Sequence, residues 1–237
     1  MLEQLVTTII TYLNASGYYK TADEIKNAIN VAQLDLYKRL RGNLVQYAPG
    51  RPQAAISPEQ TNTTADAISE LYYTMSIPGQ RFVDLVTAQT TYKRTIDLVM
   101  SIEVAYLSNP NTLYPVNIVP DNQFLMLKNN PVVPPIKERP IGRMTKMLTY
   151  EVLPYQEQNG QPSISTFSAR VLTLPNPVDF RFEDVNGPVP KVVPIVPIDW
   201  SYDKLDNLVY GTVANLGFNL SNGVLVQSGN AMNNSVL

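Results

Sequence analysis

The chain has 237 residues, with 18 basic residues against 20 acidic ones and a pI near 5.2, which is length enough for one large domain or two small ones around a real core. The near-balance of charge argues against nucleic-acid or membrane binding by bulk electrostatics, though not against a local patch. Cysteine and histidine are both absent, which removes disulfides, thiolate metal sites, the commonest zinc ligands and the Ser-His-Asp and Cys-His nucleophile systems.

Residues 1–16 read as a first helix, with Leu2, Leu5, Val6, Ile9, Ile10 and Leu13 on one stripe and Gly17 beyond its end. The apolar run Leu5 to Leu13 is interrupted by Thr7, Thr8, Thr11 and Tyr12 and lacks a basic leader. It therefore predicts neither a signal peptide nor a membrane span. Thr21 to Gly42 is the stretch around which the rest is organised. Ile25, Ile29, Ala32, Leu36 and Leu40 share one face of a 3.6-residue helix. Thr21 and Glu24 form a capping box, Asp23 and Glu24 complement the dipole, Lys38, Arg39 and Arg41 fill the last turn, and Gly42 is the expected stop. Gln46 to Pro52 is an extended arm, because its prolines and glycine forbid helix. Ser57-Pro58-Glu59 can open another helix, and Ile68, Leu71, Tyr72 and Met75 predict one over Thr64 to Met75.

From Ile96 the period changes to two, and Ile96 to Tyr106 reads as a strand. Asn122 to Lys128 reads as a short helix, and Asn130 to Pro140 as extended or polyproline-like chain. Met144–Leu153, Ser165–Leu174 and Val178–Glu183 are three further candidate strands. Val189 to Ile198 carries prolines 190, 194 and 197, so it is an edge strand or a strap. Leu205, Leu208, Val209, Val213 and Leu216 make a helical face that stops at Gly217, with a last short helix capped by Asn219 or Ser221. The order predicts an α+β fold: an N-terminal helical bundle over 1–90, a Pro-rich antiparallel β region over 91–200, and C-terminal helices with a polar tail over 201–237 that pack back on the bundle.

Candidate chemistry is sparse. Asp199, Asp203 and Asp206 near Trp200 are the only acidic cluster beside a conspicuous aromatic, and such carboxylates can serve acid–base work or hold a hard cation. Acidic residues opening a helix explain them more simply. A carboxylate-dependent metal-binding hydrolase, or a glycan-binding module using Trp200 and exposed tyrosines, are the alternatives this cluster supports. Lys38, Arg39 and Arg41 are explained by the helix C-terminus, whereas Lys137, Arg139, Arg143 and Lys146 suit either an arm lying on a neighbouring subunit or plain solvation. No phosphate-binding glycine pattern is present.

The more informative feature is a set of Pro-rich arms, Gln46–Pro58, Asn130–Pro140 and Val185–Pro197, in a chain with 19 prolines, about 8% where about 5% is usual. Apolar side chains on such arms, among them Val132, Val133, Ile136, Val193 and Ile195, are unfavourable in water and suit docking on another chain. Tyr47, Arg51, Pro52, Lys137, Arg139 and Arg143 join them as interface candidates. A head-to-tail contact of this kind makes a ring if the rotation closes. No catalytic residue, metal ligand or cofactor is assigned.

The run Asn27 to Tyr37 (NAINVAQLDLY), then Gln46 to Pro52 (QYAPGRP), resembles the N-terminal half of head-to-tail connector, or neck-ring adaptor, proteins of tailed bacteriophages, the crAss-like group in particular. Ile198-Asp-Trp200, Leu208-Val-Tyr210, Leu216-Gly-Phe-Asn-Leu220 and Val226-Gln227 are similar to their C-terminal half, and Leu153-Pro-Tyr155 with Leu172 to Pro177 is compatible with the middle. The resemblance spans most of the chain, and its motifs are packing and turn signatures. It implies a non-enzymatic virion protein: a homo-oligomeric ring of about twelve subunits in the neck, assembled in the host cytoplasm. Such a ring joins portal to tail around a channel through which DNA passes without sequence-specific binding, and no membrane is involved.

Overall fold

The computed structural model describes residues 1–15, 17, 19–44, 68–158, 161–183 and 190–219. The fold is α+β. In chain order come α1 (Leu2–Ala15), α2 (Ala22–Leu44), β1 (Tyr72–Pro78), β2 (Phe82–Asp84), α3 (Leu85–Tyr92), β3 (Ile96–Tyr106), β4 (Asn109–Pro115), β5 (Asn117–Ile118) and α4 (Asp121–Lys128). They are followed by β6 (Ile141–Lys146), β7 (Thr149–Leu153), β8 (Glu157–Gln158), β9 (Gln161–Pro162), β10 (Ile164–Thr173), β11 (Asp179–Glu183), β12 (Lys191–Val196) and α5 (Leu205–Asn219). The chain divides into two compact units, one made of 1–71 with 174–237, the other of 72–173. Residues 1–71 and 201–237 thus lie in one unit, and 72–90, expected with the N-terminal bundle, lie in the other.

In the helical unit, the stripe of α1 is buried at all six positions from Leu2 to Leu13, and Ile25, Ile29, Ala32 and Leu36 of α2 are buried as their spacing requires. The capping box forms: Thr21 N donates to Glu24 Oε2 at 3.0 Å and Glu24 N to Thr21 Oγ1 at 3.3 Å. α5 packs against α2 and α1. Leu208, Val209, Thr212, Val213, Ala214 and Leu216 are all buried, because a helix apolar on most sides must be covered on most sides. A Cβ on Gly211 would lie 3.3 Å from Ala32 Cβ, so glycine lets the two helix backbones approach. β11 and β12 pair antiparallel. β11 lies on α2, where Lys26 Nζ reaches Asp179 Oδ1 at 2.8 Å and Asn30 Oδ1 accepts from Val178 N at 2.8 Å.

The second unit holds two four-stranded sheets, in the orders β1-β10-β3-β4 and β2-β7-β6-β5, with only β5–β6 parallel. Met75, Ile102, Val104, Phe167, Ala169 and Val171 of the first sheet share one core with Val83, Tyr150 and Val152 of the second. The other face of the second sheet, at Ile141, is covered by Phe124 of α4. The edge of β1 is blunted at Ser76, whose N–H and C=O are both taken by the Tyr92 hydroxyl at 3.1 and 3.2 Å.

Four expectations are corrected. Thr64 to Met75 is not a helix where described: a single 3-10 turn, Ser69–Leu71, leads into β1. Pairing of Tyr72 to Pro78 with β10 overrides the helical spacing. Met144 to Leu153 is a hairpin and not one strand, since Leu148 takes φ 59° and turns β6 into β7. α2 and α5 run past Gly42 and Gly217, to Leu44 and Asn219. The expected helix at Ser57 and the last short helix after Asn219 lie outside the described residues.

Candidate functional site

The site is built where α4 passes into the proline arm. Phe124 and Leu127 turn inward onto Ile141 and Val119, which forces Leu125 and Met126 of the same short helix outward, Met126 to 75% exposure. After α4, the Asn130 side chain accepts from Val132 N at 2.8 Å and Val133 N at 3.2 Å. This local turn competes with further helix, and the prolines at 131, 134, 135 and 140 complete the break. Arg139 N donates to Ile136 O at 3.0 Å, closing a second turn.

The arm is moored at its far end. Lys137 Nζ donates to Ser108 Oγ at 2.9 Å and lies 5.9 Å from the centre of the Tyr106 ring. Asn117 N donates to Pro140 O at 3.0 Å. Burial pushes the Tyr106 hydroxyl above its ordinary pKa, helped by the nearby Glu138 and Tyr114 charges. Between arm and sheet lies a cleft of about 390 Å³ lined by Leu127, Val133, Pro134, Pro135, Pro140 and Ile141. The tip faces away from the body: Val132 is 83% exposed, and Val133 and Ile136 are exposed with it.

Beside the arm, β6 and β7 hold a carboxylate between two guanidinium groups. Glu151 Oε1 accepts from Arg81 Nε at 3.1 Å and Nη2 at 2.8 Å, and Oε2 lies 2.9 Å from Arg143 Nε and 2.7 Å from Arg143 Nη2. The Glu151 side chain is only 2% exposed. Burial pushes its carboxyl up, but the hydrogen bonds and charges of Arg81 and Arg143 outweigh this and hold it below the ordinary value. Arg143 also reaches Asp121 Oδ1 at 3.3 Å and stacks 4.8 Å from the Phe124 ring centre. Its charge is thus engaged within the unit and fastens α4 to the sheet. No family model matches the chain. No curated protein matches it either.

The remaining candidates scatter. Ile195 on β12 is exposed, Val193 is half-buried and Val192 is buried, so the described part of the Val185–Pro197 arm is a strand paired with β11 and packed against α1. Arg139 is exposed on the cleft. Tyr47, Arg51 and Pro52 lie outside the described residues. Asp199 Oδ2 accepts from Asn176 N at 2.8 Å, tying the Leu174–Val178 stretch to the strap. Asp203 accepts from Lys204 Nζ at 2.6 Å and from Ser201, and Asp206 sits in the first turn of α5. The hydrogen bond from Lys204, then that from Ser201, lowers the Asp203 pKa. Among the described residues no three metal-ligating side chains converge, and no helix is long and apolar enough to cross a membrane. Trp200 is buried, so the platform imagined for a glycan is inside the unit.

Sequence reasoning missed Leu125, Met126 and the exposed Met147 of the β6–β7 turn. A signal existed for the first two: Phe124 to Leu127 are four consecutive apolar residues in a two-turn helix, which cannot all face one sheet. What the site can do is bury apolar surface against a partner.

Proposed function

We propose that this protein is a non-enzymatic structural subunit that works as a homo-oligomer, a ring in the head–tail connector of a tailed phage. In this role it joins portal to tail around the DNA channel, in contact with neighbouring neck and tail proteins. The observation that carries the reading is the proline arm. Its far end is moored by Lys137 and Pro140 while its apolar residues Val132 and Val133 stand in water. Exposed aliphatic surface is unfavourable by about 25 cal/mol per Å². A stiff, pre-set arm loses little entropy when a partner covers it. The sequence resemblance supplies the setting, and the scattered engagements of Asp199 and Asp203 give the carboxylate alternative no comparable support.

The test is mass photometry with negative-stain imaging of the full-length protein at micromolar concentration. The expected result is a closed ring of about twelve copies, with Val132→Ser plus Val133→Ser lowering the assembled fraction at unchanged far-UV circular dichroism. A full-length protein that stays monomeric across that range overturns the reading.

A further inference from the structure

The two compact units carry opposite charge. Residues 72–173 hold nine basic residues against seven acidic ones, and the remainder nine against thirteen, so one unit is formally +2 and the other −4. Within the positive unit, the exposed apolar residues Leu125, Met126, Val132 and Val133 stand with Lys128 and Arg139. Neither of these two cations has a carboxylate partner among the described residues. Glu138 is the one acidic residue between 122 and 146, so the surface stays net basic.

From this we infer that the α4–arm surface docks on the acidic helical unit of a second copy of the chain, head to tail. The inference rests on the homo-oligomer reading and adds which halves meet. A basic surface is not complementary to itself: a two-fold contact would bring Lys128 and Arg139 against their own copies, and like charges facing each other oppose association. Every copy offers the opposite sign on its other unit. Buried apolar area supplies the attraction, and charge selects the partner and speeds encounter. On the acidic unit the exposed Tyr202 is the matching contact. Its hydroxyl donates to Gln4, next to the exposed Glu3, and after it in the chain come Asp203, paired with Lys204, and Asp206, so the acidic groups here outnumber the basic one. A contact between unlike surfaces leaves one of each open at every step, so it propagates until the ring closes.

Two full-length variants decide it, Met126→Glu with Val132→Glu on the basic surface, and Glu3→Lys with Tyr202→Arg on the acidic one. All four substituted side chains are exposed, so neither variant opens a core. Tyr202→Arg gives up the hydroxyl bond to Gln4 and Glu3→Lys an acidic first-turn residue of α1, so the acidic-surface variant should melt slightly lower and both are compared well below their midpoints. Each alone is expected to be monomeric by mass photometry at concentrations where the wild type assembles. Mixed one to one, they are expected to give heterodimers and nothing larger, because each retains one intact half. Raising salt from about 50 mM to about 500 mM should weaken wild-type association roughly tenfold or more. A mixture that stays monomeric, or variants that assemble like the wild type, overturns the docking assignment while leaving the ring reading in place. A wild type that never assembles overturns both.

Discussion

At the scale of single residues, Glu151 is the position where most is at stake. A carboxylate almost out of water is held by three N–H hydrogen bonds from Arg81 and Arg143 and by the further ion-pair contact of Arg143 Nη2. Removing it leaves two guanidinium groups facing each other across β7. We expect Glu151→Ala to cost about 3 kcal/mol, toward the lower end for a broken buried pair because both arginines reach solvent. Urea denaturation at neutral pH measures this. The pH dependence has a definite sign. The folded-state pKa of Glu151 lies below the ordinary carboxyl value of 4.5, so its contribution is fully present above about pH 4.5 and is lost as pH falls through the lower folded value. The urea midpoint of the wild type should therefore drop on acidification below that point. Glu151→Gln should start lower and lose less over the same range. A parallel loss in both proteins would assign the acid sensitivity elsewhere. Glu24, Asp179 and Asp203 shift in the same direction through Lys20, Lys26 and Lys204 respectively, and add to the slope.

At the scale of elements, the helices were legible because their spacing, caps and charge bias all agree. α2 is the example: Thr21→Ala removes one half of the capping box and is expected to destabilise by about 1 kcal/mol, read as a lower thermal midpoint. Glycine was the unreliable signal. Gly211 marks no ligand loop. It lies against Ala32, and Gly211→Leu is expected to cost about 1–3 kcal/mol by overpacking that crossing, measured by the same denaturation curves. Gly42 and Gly217 do not end their helices, since neighbouring packing outweighs a propensity deficit of about 1 kcal/mol. Strands were legible where alternation runs long, as in β3 and β10. Shorter ones were not, because a three-residue β2 or a two-residue β5 spans too little of a two-residue period to show an alternation. β1 was mistaken for helix because Leu71, Tyr72 and Met75 fit a helical face as well as a strand, and only β10, a hundred residues on, decides between them. The arm was legible as an arm from its prolines. Its moorings at Ser108 and Asn117 were not, as they join residues far apart in the chain.

At the scale of the whole molecule, the order of the elements foretold the α+β class but not the division of the chain. The helical unit is assembled from both ends of the sequence, and 72–173 is a continuous insertion within it. The pairing of Tyr72 with Leu172 explains how that is possible: the first and last strands of the insert are antiparallel neighbours, so the chain leaves and returns at adjacent points. An insert of about 100 residues with its own core and adjacent ends is of a size that folds alone. We therefore expect residues 72–173, expressed by themselves, to give a cooperative thermal transition and dispersed amide proton resonances. In that fragment Glu151→Ala should lower the midpoint as it does in the full chain, because Arg81, Arg143 and Asp121 all lie inside the fragment. Gly211→Leu, lying outside, acts only on the full chain. If the fragment instead proves unfolded while the full-length protein is folded, the core shared by β3, β7 and β10 depends on the helical unit. The chain would then have to be treated as one cooperative body, and the two substitutions should couple when combined in the full-length protein.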